Sequence, residues 1–120
     1  MTLRSPKRGE IWCVDFNPTR GAEIQKQRPA VVISSDALGK LPLKIVAPLT
    51  GWKDAFEGKL WHVRLLPTLV NGLDKTSAVD ALQVRSISTD RFLNFLGRIT
   101  ATELDEITEA LGLLIEIPQH

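Results

Sequence analysis

Two segments of the first third of the chain decide the fold. They are Arg8-Gly9-Glu10-Ile11-Trp12-Cys13-Val14-Asp15-Phe16-Asn17-Pro18 and Gln27-Arg28-Pro29-Ala30-Val31-Val32-Ile33-Ser34. Apolar residues at every second position from Trp12 to Phe16 predict a strand with one buried face. Pro29 biases Arg28 toward extended backbone before a second apolar strand. The turn-rich, charged loop between the strands is therefore expected at the rim of a β core.

Further patterns complete the predicted fold. Strand patterns recur at residues 43–49 and 61–65, and residues 77–79 and 82–84 together suggest another strand. Thr100 with Glu103 forms a capping-box pattern, and apolar residues then recur at helical spacing from Leu104 to Leu114. Several strands followed by one helix favour a mainly β fold with α, a small β barrel or strongly bent sheet capped by a C-terminal helix.

Composition limits the class of protein. The 120 residues suit one domain, 1–120, and the 43% hydrophobic and 24% charged content is that of a soluble globular protein. No apolar run is long enough to span a membrane and the N-terminus lacks a signal-peptide pattern, so we expect a cytoplasmic protein. The net charge of +1 does not by itself indicate a nucleic-acid binder. The single cysteine, Cys13, excludes an intramolecular disulfide.

No metal or cofactor site is predicted. His62 and His120 stand far apart with no paired ligand spacing, and no glycine-rich nucleotide-binding motif is present. The remaining candidates for chemistry are Glu23, Arg28 and Thr50. Taken alone they have ordinary alternatives, because an arginine before proline is often a solvated rim residue, a threonine before glycine is often a turn former, and Glu23 has Lys26 and Arg28 nearby as ion-pair partners.

Four motifs follow one another along the first fifty residues. They are Arg8-Gly9-Glu10-Ile11-Trp12 with Val14-Asp15-Phe16; Pro18, Gly21 and Glu23; Arg28-Pro29-Ala30-Val31-Val32; and Ala47-Pro48-Leu49-Thr50. In order and spacing they resemble the MazF/PemK (Kid) family of toxins from type II toxin–antitoxin systems. Weaker matches continue to about residue 115. The resemblance implies an SH3-like (CcdB/PemK-type) β barrel, a homodimer, and a metal-independent, sequence-specific endoribonuclease (mRNA interferase) that cleaves single-stranded RNA. It also implies inhibition by a cognate antitoxin with an acidic disordered segment.

The resemblance also assigns residue roles. Arg28 matches the family's catalytic arginine, Thr50 its catalytic threonine, and Glu23 an acidic position that affects activity. RNA cleavage without metal needs charge stabilisation on the phosphoryl oxygens and two proton transfers, for which a guanidinium, a hydroxyl and a carboxylate are suitable groups. Trp52 and Phe56 are candidates for stacking on unpaired bases. The full set of expected RNA contacts is Lys26, Gln27, Trp52, Lys53, Phe56, Gln83 and Arg85.

The chain departs from the family pattern in one segment. Many relatives carry an acid immediately before Gln83, where this chain has Leu82, and Kid-like members carry arginine at the position of Asp80. The Kid-type catalytic assignment that uses this segment does not transfer. Two alternatives stay open: a non-catalytic CcdB-like toxin of the same fold that binds a protein target such as gyrase, and, because of Leu82, an RNA-binding or structural barrel module that has lost activity.

Overall fold

The computed structural model describes residues 5–118. In this part of the chain, seven strands precede one long helix, and four short 3-10 turns lie between them. The strands and helix are β1 (Glu10–Asp15), β2 (Gln27–Val32), β3 (Leu43–Gly51), β4 (His62–Leu65), β5 (Ser77–Asp80), β6 (Arg85–Ser88), β7 (Phe92–Arg98) and α1 (Ala101–Leu114). The predicted class, mainly β with a C-terminal helix, is confirmed.

The nine-residue strand β3 is the centre of an antiparallel sheet with the order β4-β5-β3-β2-β1-β7. One edge of β3 pairs with β2, while β6 pairs with its first half and β5 with its last three residues. The continuous apolar runs at residues 30–32 of β2 and 46–49 of β3 are buried on both faces of the sheet, so side chains at this centre are positioned by packing on both sides.

The predicted barrel is not closed by strand pairing. In the described residues, β4 and β7 each have a strand neighbour on one side only. The loop that follows β4, residues 66–76, lies against β7 instead, where the Arg98 amide donates to the Val70 carbonyl at 3.0 Å. A loop therefore occupies the place that a closing β4–β7 ladder would need.

Two buried clusters lie on opposite faces of the sheet. The first, which includes Ile11, Val31 and Leu49, is covered by the apolar stripe of α1. The capping box predicted at Thr100 and Glu103 is present, with both reciprocal hydrogen bonds formed. The second cluster consists of Val14, Phe16, Ala30, Val32, Val46, Ile87 and Phe92.

The 66–76 loop is fixed to β7 by a close backbone approach. Asn71 is buried, and its side chain bonds the Leu66 carbonyl at 2.8 Å and the Thr68 amide at 3.0 Å. A Cβ built on Gly97 would stand 2.3 Å from the Val70 carbonyl oxygen, so the approach requires glycine. The same loop continues to Lys75, which lines the cavity described below.

Gly97→Ala is expected to destabilise the protein by at least about 2 kcal/mol, because backbone atoms rather than a flexible side chain must move to admit the methyl group. Gly112→Ala is the matched control: it lies in α1, its Cβ would meet the Ile117 side chain at an ordinary 3.4 Å, and alanine favours the helix. Urea denaturation of both variants checks this. Equal stability of the two variants would contradict the close approach.

Candidate active site

Arg28 and Thr50 come from adjacent strands and share one face of the sheet. The β2–β3 pairs end at Ala30 with Pro48, and the same register continued by two residues places Thr50 opposite Arg28. Arg28 has the strand parity of buried Ala30 and Val32, and Thr50 has that of Val46. The two side chains therefore extend the second cluster's face beyond its apolar core, where both become half-buried.

Both residues line a single cavity of about 250 Å³, here called the Arg28–Thr50 cavity. Its wall also contains Gln27, Asp74 and Lys75. The cavity thus combines two cationic side chains, one acid and the hydroxyls of Thr50 and Ser77, a set that suits a single phosphate group. The structure thus places Arg28 and Thr50 in the wall of one cavity, as the sequence predicted. Their catalytic roles stay a prediction.

Two features of this cavity were not predicted. Lys75 approaches the backbone so closely that a Cβ on Gly51 would stand 3.3 Å from its Nζ. No motif or spacing marks Lys75 in the sequence, since it reaches the site through the anchored 66–76 loop. The Arg28 guanidinium also has a fixed neighbour, because its Nε donates to the Gln25 carbonyl at 3.4 Å.

Glu23 lies apart from Arg28 and Thr50. It lines a larger cavity of about 540 Å³, here called the Glu23 cavity, whose wall also contains Pro48 and Arg85. Its Oε1 accepts the Arg20 amide at 2.5 Å. Neither of the two ion pairs found in residues 5–118, His62–Asp80 and Arg98–Glu10, involves Glu23. Pro48 in the wall of this cavity and Thr50 in the wall of the other alternate onto the same face of β3.

The segment after β5 differs from the prediction. The strand predicted at 82–84 is wrong, because Ala81–Gln83 forms a 3-10 turn and the next strand begins at Arg85. The cause is Asp80, whose Oδ1 accepts the Leu82 amide at 3.0 Å and turns the backbone. Leu82 is 61% exposed and lines the Glu23 cavity, so an apolar side chain stands where the family pattern has an acid.

Some of the side chains predicted to contact RNA are exposed, and others form hydrogen bonds within the chain. Lys26 and Gln27 are exposed, and Lys26 closes the β1–β2 loop with φ +71°, a left-handed conformation that is unusual for lysine. Arg85 donates to the Phe16 carbonyl at 3.4 Å and faces the Glu23 cavity. The Gln83 amide group bonds the β1–β2 loop at two points.

Trp52 and Phe56 pack against each other and against neighbouring side chains. Their rings meet edge to face at 5.7 Å, Phe56 stacks on His62 at 3.8 Å, and the Arg64 guanidinium lies 4.2 Å from the Trp52 ring centre. Several ring surfaces predicted to meet bases are therefore occupied within the chain. Lys53, between them in sequence, is exposed.

His62 sits at the base of this aromatic group. Burial lowers the pKa of His62, an effect that the Asp80 carboxylate opposes and Lys59 reinforces. The imidazole is therefore uncharged near neutral pH, and its 3.8 Å approach to Asp80 is a weak contact rather than a strong ion pair.

Two searches of the described chain concern other classes of site. Residues 5–118 contain no group of three or more histidine, cysteine, aspartate or glutamate side chains placed to hold a metal ion. Among the helices of the same part, none is long and apolar enough to cross a membrane.

Comparison with known proteins identifies the family of this chain. Residues 7–115 match the family described as PemK-like, MazF-like toxin of type II toxin–antitoxin system. The chain is 36% identical over 118 residues to Endoribonuclease MazF9 of Mycobacterium tuberculosis, a match that covers 92% of this chain and 97% of the relative.

Solved structures agree as well. Crystalline MazF (Form-I) of Deinococcus radiodurans superposes with a TM-score of 0.77 at 29% identity and covers 93% of this chain and 97% of its own. MazE-MazF (Form-III) of the same organism gives 0.73 at 28% identity, with 94% and 98% covered. The chain belongs to the PemK-like, MazF-like family of type II toxin–antitoxin toxins.

Proposed function

We propose that this protein is the toxin of a type II toxin–antitoxin system and a metal-independent, sequence-specific endoribonuclease that cleaves single-stranded RNA. The observation that carries the proposal is the single cavity lined by Arg28 and Thr50. The relative that is 36% identical, named an endoribonuclease, supports the same activity. The CcdB-like alternative is not favoured, because this relative is named an endoribonuclease.

The chemistry proceeds by attack of a ribose 2′-oxygen on the adjacent phosphorus. That oxygen loses its proton, the bond to the 5′-oxygen breaks, and the 5′-oxygen takes up a proton, so the products are a 2′,3′-cyclic phosphate and a 5′-hydroxyl. Arg28 stabilises the charge that develops on the phosphoryl oxygens, and the Thr50 hydroxyl donates to one of them. Lys75 adds a second positive charge to the same cavity.

Glu23 is proposed as the proton acceptor, because Pro48 in the wall of its cavity lies on the same face of β3 as Thr50. With the scissile phosphate in the Arg28–Thr50 cavity, the attached ribose extends along the shared face past Pro48 toward the Glu23 cavity. The Arg20 amide occupies Oε1, so Oε2 is the oxygen proposed to accept the proton of the 2′-hydroxyl.

The RNA strand is proposed to follow the same face. Contacts to the phosphates on either side of the cleaved bond come from exposed Lys26, Gln27 and Lys53 and from half-buried Arg85. Trp52 and Phe56 offer ring edges beside Thr50 rather than open stacking faces. Base preference then depends on these edges and on the exposed Leu82.

The partners are proposed from the family. A relative was solved as MazE-MazF, and an acidic antitoxin segment would be attracted to the two cations of the Arg28–Thr50 cavity. A poly-glutamate peptide should inhibit cleavage in a salt-dependent way, and its failure at low salt would remove the electrostatic basis for antitoxin binding.

The toxin is also proposed to be a homodimer. Sedimentation of the purified protein should then give twice the 13.3 kDa chain mass, and a mass equal to that of one chain would rule the homodimer out.

The first prediction concerns the two groups on the phosphate. In excess EDTA the protein should cut a long single-stranded RNA, Arg28→Ala should lower kcat by about 10³, and Thr50→Val, which keeps the shape but removes the hydroxyl, should lower it by about ten- to a hundredfold. End-group analysis of the products checks the cyclic phosphate.

Arg20→Ala is the matched control, since it removes the same charge from an exposed position in the β1–β2 loop. It should retain nearly full activity. Tight RNA binding without cutting would identify the inactive binding module, and growth inhibition retained by an Arg28→Ala, Thr50→Ala double variant would point to the CcdB-like alternative.

The second prediction concerns Glu23. Glu23→Gln keeps an oxygen that can accept the Arg20 amide but removes the base, so kcat should fall by about 10² or more while the loop keeps its structure. The acidic limb of the pH–rate profile should also disappear. A variant that keeps that limb and loses less than about threefold in kcat would show that Glu23 is a loop residue and not the base.

A further inference from the structure

The β1–β2 loop consists of residues 16–26. Its tip is held by one side chain from a distant part of the chain, that of Gln83. The Gln83 Oε1 accepts the Ile24 amide at 2.5 Å, and its Nε2 donates to the Ala22 carbonyl at 3.1 Å. These bonds join residues 59 and 61 positions apart. Both atoms of the amide group are thus engaged with loop backbone on either side of Glu23.

The base of the loop is fixed independently. Arg85 donates to the Phe16 carbonyl at 3.4 Å, Arg91 donates to the Asn17 carbonyl, and the Lys26 amide donates to Asn17 Oδ1 at 3.0 Å. Loss of the Gln83 bonds would therefore release the tip and leave the β1–β2 hairpin formed.

Gln83 is itself held in place. It is the last residue of the 3-10 turn that Asp80 caps through the Leu82 amide. The turn lies against β3, the strand that carries Thr50. The loop tip is therefore positioned relative to β3, the strand that also carries Thr50.

The loop tip is also connected to Arg28. Gln25, next to Ile24, accepts the Arg28 Nε through its carbonyl, and Glu23 lies between the two residues that Gln83 bonds. We propose that Gln83 is a positioning residue for RNA cleavage: by latching Ala22 and Ile24 it holds the Gln25 carbonyl that orients the Arg28 guanidinium and keeps Glu23 at the larger cavity. This inference rests on the proposed ribonuclease function and replaces direct RNA contact as the main role of Gln83.

Gln83→Met tests the latch, since methionine has a similar length and forms neither bond. In the RNA-free protein, amide exchange at Ile24 should accelerate by about tenfold, while exchange in β2 and the melting temperature stay nearly unchanged. With RNA, kcat should fall by about tenfold with little change in KM, because Arg28 and Glu23, which act in the transition state, are no longer held in the orientation that cleavage requires.

Asn94→Leu is the matched control. It also replaces an amide side chain by an apolar one of similar length, at an exposed position of β7 outside both cavities, and it should alter neither exchange at Ile24 nor kcat. Unchanged Ile24 exchange in Gln83→Met would overturn the latch, and a raised KM with unchanged kcat would overturn positioning in favour of direct RNA contact. If the wild-type protein cuts no RNA, the ribonuclease proposal and the positioning role both fail, and exchange at Ile24 still decides whether the latch exists.

Discussion

The antiparallel pairing of β2 with β3 is the constraint on which the candidate site depends. Its register, with Ala30 opposite Pro48, brings Arg28 and Thr50 to facing positions on one side of the sheet. A slip of one residue would send one of the two side chains to the opposite face. The register is well fixed because both faces of these strands are buried, one under α1 and the other in the second cluster. Core packing therefore sets the geometry of a polar site at its rim.

The electrostatics of the site are local. A net charge of +1 over 120 residues provides almost no overall attraction for RNA. The Arg28–Thr50 cavity nevertheless gathers two cations against one acid, and the Glu23 cavity contains Arg85 as well as Glu23. Arg28 and Arg85 are half-buried, and half-buried charges are screened less by salt than exposed ones. The fold thus places two cations where one phosphate fits.

Much of this arrangement could be predicted from local sequence. Period-two alternation marked β1, Pro29 marked the junction at Arg28, and the Thr100–Glu103 pattern marked the start of α1, because each of these signals acts within a few residues. The position of Glu23 could not be predicted the same way, since it is set by bonds from Gln83 about sixty residues away. Lys75 was missed for a similar reason, because the close approach at Gly97 carries its loop to the site.

Two features of the fold have physical causes that only tertiary structure reveals. The strand expected at 82–84 is wrong, since the Asp80 side chain competes for the Leu82 amide and a 3-10 turn forms. The barrel or strongly bent sheet expected from the strands and helix is not closed by strand pairing, since the 66–76 loop takes the place beside β7. The aromatic residues expected to meet bases, Trp52 and Phe56, find partners in Arg64 and His62 inside the chain.

The central claim is that Arg28 and Thr50 act together on one phosphate, and a double-mutant cycle on kcat tests it most directly. If both groups contact the same phosphoryl group, the variant carrying Arg28→Ala and Thr50→Val should be little slower than Arg28→Ala alone, because the hydroxyl has lost the charge arrangement it supports. If the two losses multiply in full, the groups act independently and the shared-phosphate account is contradicted.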